Sequence, residues 1–159
     1  MFSKPQEEHR WLEQLVGKWK YETECVMGPD QPPMKSDGPV VGRSMGGIWV
    51  VLEFGGESPE HGAWDSLMTL GFDPANGKFT GTFVTSMMTH LWIYSGALDA
   101  GRRKLVLDAT GPRFDQNGMA HYQDMIEIVD KDHWVLSSQI EGDDGKWQPF
   151  MTSHHYRVN

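Results

Sequence analysis

The 159-residue chain has a single cysteine, Cys25, so neither an internal disulfide nor a multi-cysteine zinc site can be built from it. That usage fits a reducing compartment. Cationic runs are equally scarce: the only cluster is Arg102-Arg103-Lys104, and the formal charge is −8. The electrostatic footprint of a nucleic-acid binder is missing, which argues against polyanions as partners. No stretch approaches the roughly 18 apolar residues of a membrane-spanning helix, and the first ten residues carry no apolar signal core. The expected location is therefore cytoplasmic. Strand–helix–strand alternation is absent too, as is any Gly-rich strand-to-helix fingerprint, so a parallel α/β sheet with a dinucleotide or P-loop site is not expected.

What the chain does hold is core material and turns. Apolar residues make up 38% and charged residues 23%, with 7 Trp, 7 Phe and 4 Tyr, which suits one globular domain over residues 1–159. The 18 glycines and 9 prolines fall in short clusters, so the chain is expected to turn often. One helix is expected over residues 4–16, where Ser3 and Gln6 have capping-box spacing and Trp11, Leu12, Leu15 and Val16 recur at helical intervals before Gly17. From Lys18 onward the period is two: Trp19, Tyr21, Thr23 and Cys25 share one strand face, opposite Lys20, Glu22 and Glu24. Similar extended runs recur to Val158, separated by breaks such as Gly28-Pro29-Asp30, Gly55-Gly56-Glu57-Ser58-Pro59 and Asp73-Pro74-Ala75-Asn76-Gly77. About ten strands over residues 18–158, with short connections, predict an all-β, antiparallel up-and-down β-barrel whose one short N-terminal helix plugs an end.

Specific residues carry a family likeness. Gly17-Lys18-Trp19 at the mouth of the first strand resembles the G-x-W opening of the calycins, the lipocalin and fatty-acid-binding superfamily. The ordered set His9-x-x-Leu12-x-x-Leu15-Val16-Gly17-x-Trp19, Gly42-Arg43-Ser44-Met45-Gly46-Gly47, Leu70-Gly71-Phe72-Asp73-Pro74, Ser86-Met87-Met88-Thr89-His90-Leu91 and Gly96-Ala97-Leu98-Asp99 resembles the bacterial lipocalin-like family DUF1579. The resemblance implies a calycin-type barrel with an interior cavity and no established reaction. The last strand departs from it. Where the family reads Met-x-Ile-x-Tyr-x-Arg, this chain keeps Tyr156 but has His154 in the Ile place and Val158 in the Arg place. An arginine clamp against Trp19 would then fall to Arg157 and need a local shift in register.

Several motifs invite chemistry. Gly42-Arg43-Ser44-Met45-Gly46 spells the nucleophile elbow of α/β-hydrolases, but a β-branched run follows it instead of a helix, so it reads as a hairpin turn. Seven histidines show no metal-ligand spacing, and His154 and His155, as strand neighbours, must face opposite sides. Phe150, Thr152, His154 and Tyr156 form the more aromatic face of the last strand, which predicts His154 inside. A haem held by His154, by analogy with nitrobindin barrels, is a minor alternative to the cofactor-free reading. Asp124 shares an apolar strand face with Tyr122, Ile126 and Ile128 and needs a partner if buried.

The expected ligand is a small apolar or amphipathic molecule inside the barrel. Its walls are assigned to Trp19, Tyr21, Met88, Trp92, Tyr94 and Trp134, with Asp124, His154 and Tyr156 as polar members. Two alternatives stand beside this binder. One is a cofactor-free acid/base enzyme of isomerase or hydratase type using Asp124 and His154; the other is a dimeric interaction module with outward aromatics such as Trp49.

Overall fold

A computed structural model describes residues 1–28 and 30–159; Pro29, in the expected break after the first strand, lies outside the described residues. The ten strands are β1 (Gly17–Cys25), β2 (Met34–Met45), β3 (Trp49–Ser58), β4 (Gly62–Asp73), β5 (Lys78–Thr85), β6 (Trp92–Leu98), β7 (Lys104–Pro112), β8 (Met119–Asp130), β9 (His133–Glu141) and β10 (Trp147–Arg157). Each pairs antiparallel with the next, and β1 pairs with β10 to close the barrel. Closure satisfies every ladder and leaves no edge strand.

The helix α1 (Glu7–Leu12) is shorter than expected and tightens into a 3₁₀ turn over Glu13–Leu15. Its N-cap is Gln6, whose backbone N–H donates to His9 Nδ1 at 2.9 Å; Ser3 plays no part in it. The helix closes the end of the barrel formed by the β2–β3, β4–β5, β6–β7 and β8–β9 hairpins. Trp11 Nε1 donates to the Arg102 carbonyl at 2.7 Å, and His9 Nε2 lies 3.1 Å from the Phe72 carbonyl. Leu12 and Leu15 are wholly buried there, each stabilising the fold by about 1.5–3 kcal/mol. The opposite end, where the other five connections lie, has no helix over it among the described residues.

Two departures from simple alternation shape the interior. β10 carries a bulge: Pro149 pairs with Gln139 but Met151 pairs with Ser138, so Phe150 is the extra residue. An extra residue inverts the parity of everything after it. Ser153, His155 and Arg157 therefore face inward, and His154 and Tyr156 face out, reversing the expected assignment. The same shift supplies the clamp. Arg157 lies 4.2 Å over the Trp19 ring and donates to the carbonyls of Val16 and Lys131, sealing the closed end.

The second departure concerns glycine. Gly55-Gly56-Glu57-Ser58 is not a break but the end of β3. Its Gly56 lies beneath the Trp64 ring and Gly111 beneath the Trp92 ring, with no room for a Cβ at either. Part of the glycine content thus seats large rings inside the wall and makes no turns.

Candidate functional site

Asp124 is the inward residue at the middle of β8, flanked on the same face by Tyr122 and Ile126. Its carboxylate accepts from Tyr94 Oη on β6 and from Ser138 Oγ on β9, both at 2.5 Å. Tyr94 crosses the intervening β7, where the inward residue is the small Ala109. Burial pushes the Asp124 carboxyl above the usual carboxylate range, while the hydrogen bonds from Ser138 and Tyr94 hold it back. The Tyr94 phenol is raised well above its ordinary value by burial and by the Asp124 charge, so it stays protonated and donates.

Asp124 is densely surrounded by protein yet, as a residue, is not fully buried, and the same holds for the inward Thr23, Trp64, Phe83, Trp92 and Met151. These residues wall the half of the interior away from α1. The half next to α1 is different: Trp19, Leu52, Leu70, Leu105 and Trp134 are packed to exclusion of water.

Between the halves sits His155. It is fully buried, stacked on Trp134 with ring centroids 3.6 Å apart, and edged by Phe54 and Tyr21. Neither imidazole nitrogen has a hydrogen-bond partner, nor has Trp134 Nε1. Burial pushes the His155 imidazole down to about 3; the backbone of Trp134 and Ser153 opposes the shift from close by but outside hydrogen-bond geometry. His155 is therefore neutral at physiological pH. Tyr21 donates to the Gly55 carbonyl at 2.8 Å, and burial followed by the Asp37 charge raises its phenol to about 12.

Of the residues assigned from sequence, Tyr94, Asp124 and Trp92 reach the accessible half. Trp19 and Trp134 are inward but belong to the packed half, joined edge to face at 6.0 Å, and Tyr21 lies beside His155. Met88 sits exposed in the β5–β6 connection, where its sulfur accepts from Trp92 Nε1 at 3.1 Å. His154 and Tyr156 are corrected: both are on the outer wall. His154 Nδ1 lies 2.9 Å from His133 Nε2, and Tyr156 stacks on His133.

Asp124 and His154 face opposite sides of the barrel and cannot form an acid/base pair. A haem does not fit either imidazole: His154 is outside, and His155 lies flat on Trp134 with both nitrogens closed off. Ser44 of the elbow-like motif is an exposed hairpin residue donating to Glu13 at 2.6 Å, with Gly46 and Gly47 in the left-handed region beyond it. The half-buried Cys25 has its thiol pushed up by burial, the opposite of activation.

Sequence reasoning missed Ser138, Trp64, Phe83, Met151 and His155. Alternation from Trp134 and Leu136 points directly to Ser138. The signal for His155 was Pro149: a proline in a strand with no free edge marks a bulge. A concavity of about 770 Å³ runs over β2, β1 and β10, its lining including Glu22, Glu24, Asp37 and His154 together with the inward Thr23 and Met151. Its open, charged walls suit a solvated groove, whereas small-molecule sites enclose most of their ligand.

Among curated proteins none matches this sequence. Solved structures that share the fold include the two that follow. Rv2717c from M. tuberculosis is 13% identical with a TM-score of 0.65, the match covering 98% of this chain and 100% of that one. The S-type phycobiliprotein lyase CPES from Guillardia theta is 13% identical with a TM-score of 0.66, covering 97% and 94%. At that identity they establish the barrel and nothing of its contents. The family described as "Protein of unknown function (DUF1579)" matches residues 4–157, nearly the whole barrel together with the helix that closes it, and the chain belongs to that family.

Proposed function

We propose that the protein holds a small apolar or amphipathic molecule in the half of the barrel away from α1. The observation that supports this reading is Asp124: an inward carboxylate oriented by Tyr94 and Ser138, on a residue that is not fully buried and has partly accessible aromatic residues on the neighbouring strands. A carboxylate serving only to satisfy two hydroxyls inside a filled core would cost more in desolvation than an apolar residue in its place. Apolar walls with a few convergent polar groups are the usual form of small-molecule sites. Among the described residues Asp124 meets no second acid or base besides the phenol of Tyr94, which burial holds protonated.

The test uses Nile red, a neutral apolar dye. Binding in the interior is expected to raise and blue-shift its emission, and Met151→Trp, which fills the accessible half, is expected to abolish that signal without unfolding the barrel. Equal dye response in both proteins would place the dye elsewhere and defeat the reading. Native mass spectrometry of freshly purified protein is expected to show an adduct that organic extraction releases.

A further inference from the structure

The charge inventory of the interior says what kind of amphiphile fits. The carboxylate of Asp124 accepts one bond at each oxygen, from Tyr94 and Ser138, and a carboxylate offers about four acceptor positions, so half remain for a ligand. Among the described residues no lysine or arginine stands opposite. Arg157 is spent at the closed end on Trp19, Val16, Lys131 and Asp132. Arg113, on the rim of the other end, is paired with Asp143 and Asp115. Lys104 points outward to Glu127. Among the described residues no lysine or arginine occupies an inward strand position between Arg157 and that rim. The inward imidazole of β10, His155, is closed off and neutral.

We propose that the interior site takes neutral or cationic amphiphiles, an alkylamine above all, and rejects those headed by a carboxylate, with Asp124 as the residue that reads ligand charge. This rests on the interior-site reading above. An ammonium group brings three donors to the free acceptor positions of Asp124 and compensates its charge where water is scarce. A carboxylate head would bring a second negative charge into the same enclosure with no cation to answer it.

Three probes with the same twelve-carbon chain isolate the head group: dodecylamine, dodecanol and dodecanoate, each titrated calorimetrically below its critical micelle concentration at about 150 mM salt, where surface charge is screened. Dodecylamine is expected to bind at least about tenfold more tightly than dodecanoate, with dodecanol between them. Asp124→Asn is expected to bring the amine and the alcohol together. Asp37→Asn, on the outer wall, removes a surface charge and is expected to leave the ranking unchanged.

Dodecanoate binding as well as dodecylamine, or amine preference surviving Asp124→Asn, would overturn the proposal while leaving an interior site standing. Loss of the preference in Asp37→Asn would assign it to the surface and overturn it as well. Should Asp124→Asn fail to fold, the three-probe ranking in the unaltered protein, together with displacement of Nile red by the favoured probe, decides the matter. If none of the three binds and Nile red gives no interior signal, the interior-site reading itself falls, and the charge rule with it.

Discussion

The two halves of the barrel interior are built from the same ten strands to opposite ends. Next to α1 the inward positions include Trp19, Leu52, Leu70, Leu105 and Trp134, each at most 2% exposed, and Leu12, Leu15 and the Arg157 clamp seal that end. Away from α1 they include Thr23, Trp64, Phe83, Asp124 and Met151, all with surface left open. The closed half does the work of holding the fold, and that frees the other half to keep a polar group and partly accessible side chains. Glycine marks the same division: Gly56 and Gly111 give up side chains so that Trp64 and Trp92 can lie against the wall of the accessible half.

The sharpest way to break this comparison is to delete equivalent bulk from each side. Leu15→Ala empties a fully buried position under the helix and is expected to cost about 2–5 kcal/mol. Met151→Ala shortens a side chain that is already partly accessible and is expected to cost about 1 kcal/mol or less, since flexible methionine fills irregular gaps and little packing is lost. Urea denaturation measures both. Equal costs would mean that the two halves are packed alike.

The division was legible in the sequence only in part. Strict alternation in β1 and the hydrophobic runs of β3 and β7 gave the barrel, because a half-buried strand has no other way to separate its faces. It also put Asp124 inside. It failed in β10, where the face richer in aromatic residues was the wrong one, because one bulge at Phe150 overrode a count that assumes an unbroken period. The failure was costly because it moved both histidine and arginine: His155 replaced His154 inside, and Arg157 came to lie over Trp19. The reach of Tyr94 over β7 to Asp124 was beyond alternation altogether, since it depends on how far the barrel curves and not on the order of residues along any one strand.

A second test sharpens the comparison through protons. His155 belongs to the packed side, and its imidazole is pushed from 6.5 down to about 3 by burial. The unfolded chain takes up a proton at this residue where the folded one does not, so stability is full above 6.5 and falls as pH drops toward 3. Over that window the loss is expected to approach about 1.4 kcal/mol for each pH unit. His155→Phe keeps an aromatic ring on Trp134 and removes both unpartnered nitrogens, so the acid slope should flatten, read from urea midpoints across the window. A slope unchanged by His155→Phe would show that the ring charges freely in the folded barrel.

Asp124, on the accessible side, carries the opposite sign. Its folded pKa is raised by burial, so the folded state holds the proton more firmly than the unfolded one. Its contribution to stability is complete below the ordinary 3.8 and is lost as pH rises through the raised value. Asp124→Asn removes that loss and is expected to raise the urea midpoint near neutral pH, while amine binding falls. Ser138→Ala is the smaller and more pointed change. It deletes the hydrogen bond that most holds the carboxyl down, so the Asp124 titration, followed by NMR of its carboxyl carbon, should move further upward. It leaves the charge in place, so amine preference should persist at neutral pH and disappear at a higher pH on acidification than in the unaltered protein. An Asp124 titration that stays put in Ser138→Ala would show that solvent, and not Ser138, fills that acceptor position, and the accessible half would then be wetter than a ligand-holding space should be.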